Sequence, residues 1–182
     1  YVGVSYDVTD YINYSKENVL VVRIDATQYE GWFYEGAGIY RHVWLNTYPN
    51  AHIATDGVYA WSEPRGEMTS ITVETTLENQ SPTAAPLSII SYITDRAGKK
   101  LAISKEDAVQ LAVNGSRTVK QYLLVKGARK WSLEDPYLYR VVSVVKQNGK
   151  VIDSVKQRFG IRTIDIKPNG LFLNGVHVKL KG

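Results

Sequence analysis

The chain has 182 residues, 44% of them hydrophobic and 22% charged, which is the balance of a globular protein able to bury a core. It contains no cysteine, which excludes disulfides, a thiolate nucleophile and cysteine metal sites while leaving the compartment open. The net charge of +4 is spread along the chain, unlike the basic stripe that nucleic acid requires, and no apolar stretch approaches the roughly 20 residues that span a bilayer.

The sequence begins on Tyr1 rather than Met and closes on Lys181-Gly182, so it reads as a piece of a longer chain. No basic or apolar leader is visible at the start. In chain order, residues 8–14 are expected to form a short helical turn. Residues 19–25 and 39–47 are expected as strands, separated by an aromatic segment that contains Gly36 and Gly38. From residue 52 onward the dominant period is two, clearest in Thr69-Ser70-Ile71-Thr72-Val73-Glu74-Thr75-Thr76-Leu77. Such alternation places one face of a strand on a core and the other in water.

The strands predicted on this basis are 52–61, 69–77, 87–93, 118–125, 137–146, 151–159 and 176–180. Residues 105–109 are expected as a second short helical turn. Turn chemistry falls between the strands, at Asp95-Arg96-Ala97-Gly98, Asn114-Gly115, Gln147-Asn148-Gly149-Lys150, Pro168-Asn169-Gly170 and Asn174-Gly175. An Asn-Gly pair between apolar runs supplies the positive φ values of a tight hairpin. The expected fold class is all-β. Seven or so short strands at this spacing suit one antiparallel immunoglobulin-like sandwich of roughly 100 residues.

Three stretches carry denser patterns. The first is Trp32-Phe33-Tyr34-Glu35-Gly36-Ala37-Gly38-Ile39-Tyr40-Arg41-His42-Val43-Trp44-Leu45, and the second is Trp131-Ser132-Leu133-Glu134-Asp135-Pro136-Tyr137-Leu138-Tyr139. The third is Phe159-Gly160-Ile161-Arg162, followed by Phe172-Leu173-Asn174-Gly175 and Leu180-Lys181-Gly182. Glycine around Ala37 permits a tight turn before a strand, and Pro136 fixes φ where another strand begins. Tyr139 is a candidate tyrosine corner, its hydroxyl bonding a backbone group. Trp131 is either a core residue or an anchor for a neighbouring domain. Arginine within an apolar strand is usually solvated, which is the plain reading of Arg41 and Arg162.

In this order and spacing, the three stretches resemble glycoside hydrolase family 2, the β-galactosidase-like hydrolases. They match its G-[SA]-G-I-[YF]-R-x-V-x-L, W-S-x-x-x-P-x-L-Y and F-G-x-R…F-x-L-N-G…L-K-G patterns. The resemblance covers essentially the whole chain. It implies the end of a sugar-binding-like jelly roll over residues 1–48, an immunoglobulin-like sandwich over 49–160, and a lead-in strand and hairpin over 161–182 that would precede a (β/α)₈ barrel. It also implies domain-interface roles for Arg41, Trp131 and Arg162.

Retaining glycosidases need two carboxyl groups roughly 5–5.5 Å apart. In the family both come from the barrel, so no catalytic residue is assigned in this chain. The acidic residues here read as surface groups. His42, His52 and His177 are too scattered to form a ligand set, and no metal or cofactor is implied. Asp25, Gln28 and Trp32 lie in an aromatic and polar loop of the kind that shapes sugar subsites, and packing of the domain junction is the plainer alternative.

The functional expectation is therefore a non-catalytic section of a retaining β-glycosidase, with a β-galactosidase preferred over a β-mannosidase or β-glucuronidase. A free-standing carbohydrate-binding module and an adhesion domain are the other readings. The expected partners are the protein's own jelly roll and barrel and, through the parent enzyme, a carbohydrate; neither nucleic acid nor a membrane is expected. Association through exposed apolar strands near the C-terminus is also expected. Family habit suggests a periplasmic or secreted parent.

Overall fold

The computed structural model describes residues 3–25, 27 and 37–180. Contacts divide the chain into two units, Tyr1–Asn46 and Thr47–Gly182. In the first unit the expected helical turn is a single 3-10 turn, Thr9–Tyr11. It is started by Asp7, whose carboxylate accepts hydrogen bonds from the Thr9 amide (2.9 Å) and hydroxyl (2.6 Å). The strands expected over 19–25 and 39–47 do not form. A strand exists by its ladder, and these segments have no ladder partner among the described residues. Their apolar side chains stand in solvent instead, with Val19, Val21 and Leu45 between 77% and 82% exposed.

The second unit is built from antiparallel strands: β1 (Ala51–Arg65), β2 (Met68–Asn79), β3 (Ala85–Thr94), β4 (Lys100–Ile103), β5 (Asp107–Leu111), β6 (Ser116–Lys126), β7 (Tyr139–Gln147), β8 (Lys150–Phe159), β9 (Ile164–Lys167), β10 (Gly170–Leu173) and β11 (Val176–Val178). One sheet runs β1-β2-β6. A second runs β4-β3-β7-β8, with β5 also paired to β3. The last three strands form a small meander, β11-β10-β9. All six of the strands predicted over 52–159 are present, and the run at 176–180 contributes β11.

Period two in the sequence becomes two faces in space. In β2, Ile71, Val73, Thr75 and Leu77 are fully buried; in β3, Ile89 and Ile93 are. With Leu111, Leu123, Val141 and Val145 the apolar ones among them form one core between the sheets. Burying such a side chain contributes about 1.5–3 kcal/mol, so this cluster is the main stabilising term of the sandwich. A polar seam runs through it. The Ser143 hydroxyl lies 3.0 Å from that of Thr75 and 2.9 Å from that of Ser91, and Ser104 Oγ accepts from the Ser91 amide at 3.0 Å.

Two hairpins close on Asn-Gly. Asn148 (φ 51°) and Gly149 (φ 75°) join β7 to β8, and Asn174 (φ 51°) and Gly175 (φ 81°) join β10 to β11. Positive φ at both positions is the geometry of the type I′ turn, whose twist matches that of the strands. A further expectation is corrected. Residues 105–109 are not a helical turn, because β5 occupies Asp107–Leu111 and pairs Val109 with Leu87. The helix-favouring Lys-Glu-Asp-Ala stretch yields to burial of Val109 and Leu111, which are 4% and 1% exposed.

Candidate functional site

Three of the residues singled out in the sequence, Trp131, Tyr139 and Arg162, lie where the segment after β6 meets the segment after β8. The Arg129 amide donates to the Tyr139 hydroxyl at 2.7 Å, which realises the tyrosine-corner bond. Burial raises the pKa of that phenol above its ordinary value, so the hydroxyl stays protonated and keeps its donor as well.

Between these two residues the loop is wired to itself. The Arg129 guanidinium forks onto the Asp135 carboxylate, with Nη2 2.7 Å from Oδ1 and Nε bonded to Oδ2. The Asp135 amide donates to Ser132 Oγ at 3.0 Å, and the Ser132 amide donates back to the Asp135 carbonyl at 2.9 Å. The Arg129 hydrogen bonds hold the Asp135 carboxyl below the usual carboxylate range, and those same bonds raise the guanidinium further. Arg129 and Arg96 both lie over the Tyr137 ring, at 4.7 and 4.8 Å from its centroid.

Trp131 sits at the meeting point. Its amide donates to the Ile161 carbonyl at 2.8 Å, joining the loop to the segment that leaves β8. Its carbonyl accepts from Asn174 Nδ2 at 2.9 Å, joining the same loop to the meander. The Arg162 guanidinium lies 5.3 Å from the Trp131 ring centroid. Gly160 is packed beneath both. A Cβ there would stand 3.2 Å from Trp131 Cβ and Cγ and 3.2 Å from Arg162 Nη1, so a larger residue would require these neighbours to give by a few tenths of an ångström. Asn174 completes the clamp, since its Oδ1 accepts from the Thr163 amide at 3.1 Å while its own amide donates to the Thr163 carbonyl at 2.9 Å. Ser62 on β1 donates to the Arg162 carbonyl at 3.2 Å.

Two of the three residues expected at an interface, Trp131 and Arg162, are therefore in contact. The third, Arg41, belongs to the first unit, where it is exposed with its guanidinium 5.6 Å from the Tyr40 ring centroid. Of the loop candidates, Gln28 and Trp32 lie outside the described residues. Asp25 is exposed and closes a local turn, accepting from the Thr27 amide at 3.2 Å and hydroxyl at 2.6 Å, and pairs with Arg23 at 3.3 Å. The Thr27 hydrogen bonds lower its carboxyl pKa. Asn174 and Gly160 stood in quoted patterns, yet no role for their side-chain space was legible there; a turn signal does not reveal which carbonyl an amide will reach.

A family model described as "Glycosyl hydrolases family 2" matches residues 52–162. Among curated relatives, "Beta-galactosidase BoGH2A" of Bacteroides ovatus is 34% identical over the whole of this chain and 22% of its own length. A "Beta-glucuronidase" of Formosa agariphila is 28% identical over the whole of this chain and 21% of its own. The chain thus spans about a fifth of the length of the relatives it matches. Among solved structures, a family 2 glycosyl hydrolase of Bacteroides cellulosilyticus superimposes with a TM-score of 0.68 at 29% identity, covering 74% of this chain and 17% of that one.

Proposed function

The chain belongs to glycosyl hydrolases family 2, and from that premise we propose that it is the non-catalytic sandwich section of a retaining enzyme that hydrolyses terminal β-glycosidic bonds, with β-galactosides as substrates. The observation that carries the proposal is the match to a β-galactosidase at 34% identity over the whole of this chain, which spans 22% of that relative. A second reading, a β-glucuronidase, is favoured by the similarly complete match to such an enzyme at 28%.

Four carboxyl groups among the described residues are engaged by neighbouring side chains. Here Asp7, Asp25, Glu106 and Asp135 are all shifted down, each by a hydrogen bond from a neighbouring hydroxyl or guanidinium group as the largest cause. Their work is local structure. The Trp131, Gly160, Arg162 and Asn174 clamp instead fixes the direction in which the chain leaves the sandwich, and in the intact enzyme it would set the sandwich against a following barrel that supplies the carboxyl pair. Asp25 and Trp32 are proposed to shape the sugar subsite from the preceding domain, with Arg41 at that domain's interface.

Two preparations test this. The longer protein that contains this chain is expected to cleave p-nitrophenyl β-D-galactoside with a kcat/KM about tenfold or more above that for the glucuronide. The 182-residue chain alone is expected to release nothing above the buffer rate. Turnover at enzymatic rates by the short chain would overturn the non-catalytic assignment. The reverse preference in the long protein would move the substrate to β-glucuronides.

A further inference from the structure

We propose that Asn148, at the tip of the β7-β8 hairpin, is a site of spontaneous deamidation through a cyclic imide with Gly149. Asn174, in the matching β10-β11 hairpin, is protected from the same reaction. The two sites have nearly the same backbone. Asn148 and Gly149 have φ 51° and 75°, and Asn174 and Gly175 have φ 51° and 81°. Both glycines lie outside the ladders, between the closing pairs Gln147–Lys150 and Leu173–Val176. Turn geometry alone does not tell them apart.

The reaction needs only water. The Gly149 amide gives its proton to hydroxide, and its nitrogen attacks Cγ of Asn148. An N–Cγ bond forms and the Cγ–Nδ2 bond breaks, with Nδ2 taking a proton from water and leaving as ammonia. Water then adds to either carbonyl carbon of the five-membered imide. Opening at Cγ leaves aspartate in an ordinary main chain. Opening at the main-chain carbonyl leaves isoaspartate, with one more methylene in the backbone. One water enters overall, one ammonia leaves, and nothing is oxidised or reduced. Glycine suits the step because it has no Cβ to obstruct the approach of its nitrogen, and its backbone turns freely.

Hydrogen bonding separates the two sites. Asn148 is exposed, and its side chain makes no hydrogen bond among the described residues. The Asn174 side chain is held at both ends, with Nδ2 donating to the Trp131 carbonyl at 2.9 Å and Oδ1 accepting from the Thr163 amide at 3.1 Å. Its backbone amide is tied as well, to the Thr163 carbonyl at 2.9 Å. Cγ of Asn174 can meet the next nitrogen only after the side chain swings out of its bonds, which leaves Trp131 and Thr163 with unsatisfied groups. A hairpin tip without such ties opens cheaply. The other two Asn-Gly pairs are restrained at the glycine. The Gly115 amide donates to the Ala112 carbonyl at 3.2 Å, and the Gly115 carbonyl accepts from the Asn79 amide at 2.9 Å. Gly170 already stands in the ladder opposite Lys167. Asn148 is the site left open. Isoaspartate there would lengthen a two-residue turn and disturb the Gln147–Lys150 register that the turn sets.

Peptide mapping by mass spectrometry of the 182-residue chain, incubated at mildly alkaline pH, tests the proposal, with a thermal melt to confirm that the chain is folded. Asn148 is expected to convert to a mixture of aspartate and isoaspartate, and Asn174 to react about tenfold or more slower, the effect of its side-chain bonds. In urea strong enough to unfold the chain, the two should react at similar rates, because each is followed by glycine. Asn148→Gln should abolish the fast modification, since glutamine would have to close a six-membered ring. The proposal is overturned if Asn148 stays unmodified, or if Asn114, Asn169 or Asn174 reacts as fast in the folded chain. It is also overturned if the gap between Asn148 and Asn174 persists in urea, which would place its cause in the local sequence and not in the fold. The readout involves no catalysis, so it is independent of which glycoside the longer protein cleaves.

Discussion

Asn174 has two demands to meet at one position. Its backbone adopts φ 51°, and its side-chain amide bonds Trp131 on one side and Thr163 on the other. Asparagine tolerates the left-handed region better than other non-glycine residues and still carries a donor and an acceptor. The two demands can be separated. Asn174→Gly keeps the backbone at ease and deletes only the bridge, so about 1–3 kcal/mol should be lost through the unsatisfied groups it leaves. Asn174→Ala should cost roughly 1 kcal/mol more, because alanine at positive φ is strained. Chemical denaturation of both variants checks the order, and equal losses would remove the conformational part of the argument. Ser143 shows the opposite side of residue-scale reading. Serine in a strand suggests a solvent face, but its hydroxyl is fully buried between those of Thr75 and Ser91, and only packing of the two sheets could reveal that.

Among the elements, the loop from Arg129 to Tyr139 is an electrostatic one. Its ion pair lowers the Asp135 pKa below the unfolded value, so its contribution to stability is present above roughly pH 4, the ordinary carboxylate range. It is lost as pH falls through the lowered folded value. Asp135→Asn removes the charge at every pH. Melting temperatures of wild type and variant should therefore differ at pH 7 and converge as the pH falls through the lowered folded value, with the contribution small because the pair is exposed. A gap that persists unchanged in acid would refute the ion-pair account. Strands with strong alternation were readable as such, β2 above all. Residues 105–109 were not, because local propensity favours a helix there and the burial that makes β5 arises only once β3 is beside it.

For the molecule as a whole, the meander leaves apolar surface uncovered. Ile166 is 87% exposed, Val176 67% and Leu180 76%. Exposed apolar surface on short strands favours association. The 182-residue chain is expected to self-associate in sedimentation at high micromolar concentration, and Ile166→Lys with Val176→Lys should shift it toward monomer. A wild-type chain that stays monomeric would count against association through this surface.

The amino-acid order alone determined the all-β class, most of the sandwich strands, the Asn-Gly turns and the family. The first three depend on period-two burial and on backbone angles that particular residues permit, both of which are local, whereas the family came from the resemblance of three motifs. It could also place Trp131 and Arg162 in patterns worth watching. That they touch, over a glycine packed closely beneath both, was decided by the tertiary fold, as was the polar seam at Ser143. Both join positions far apart in sequence, and such distances close only when two sheets pack and neighbouring strands come into register.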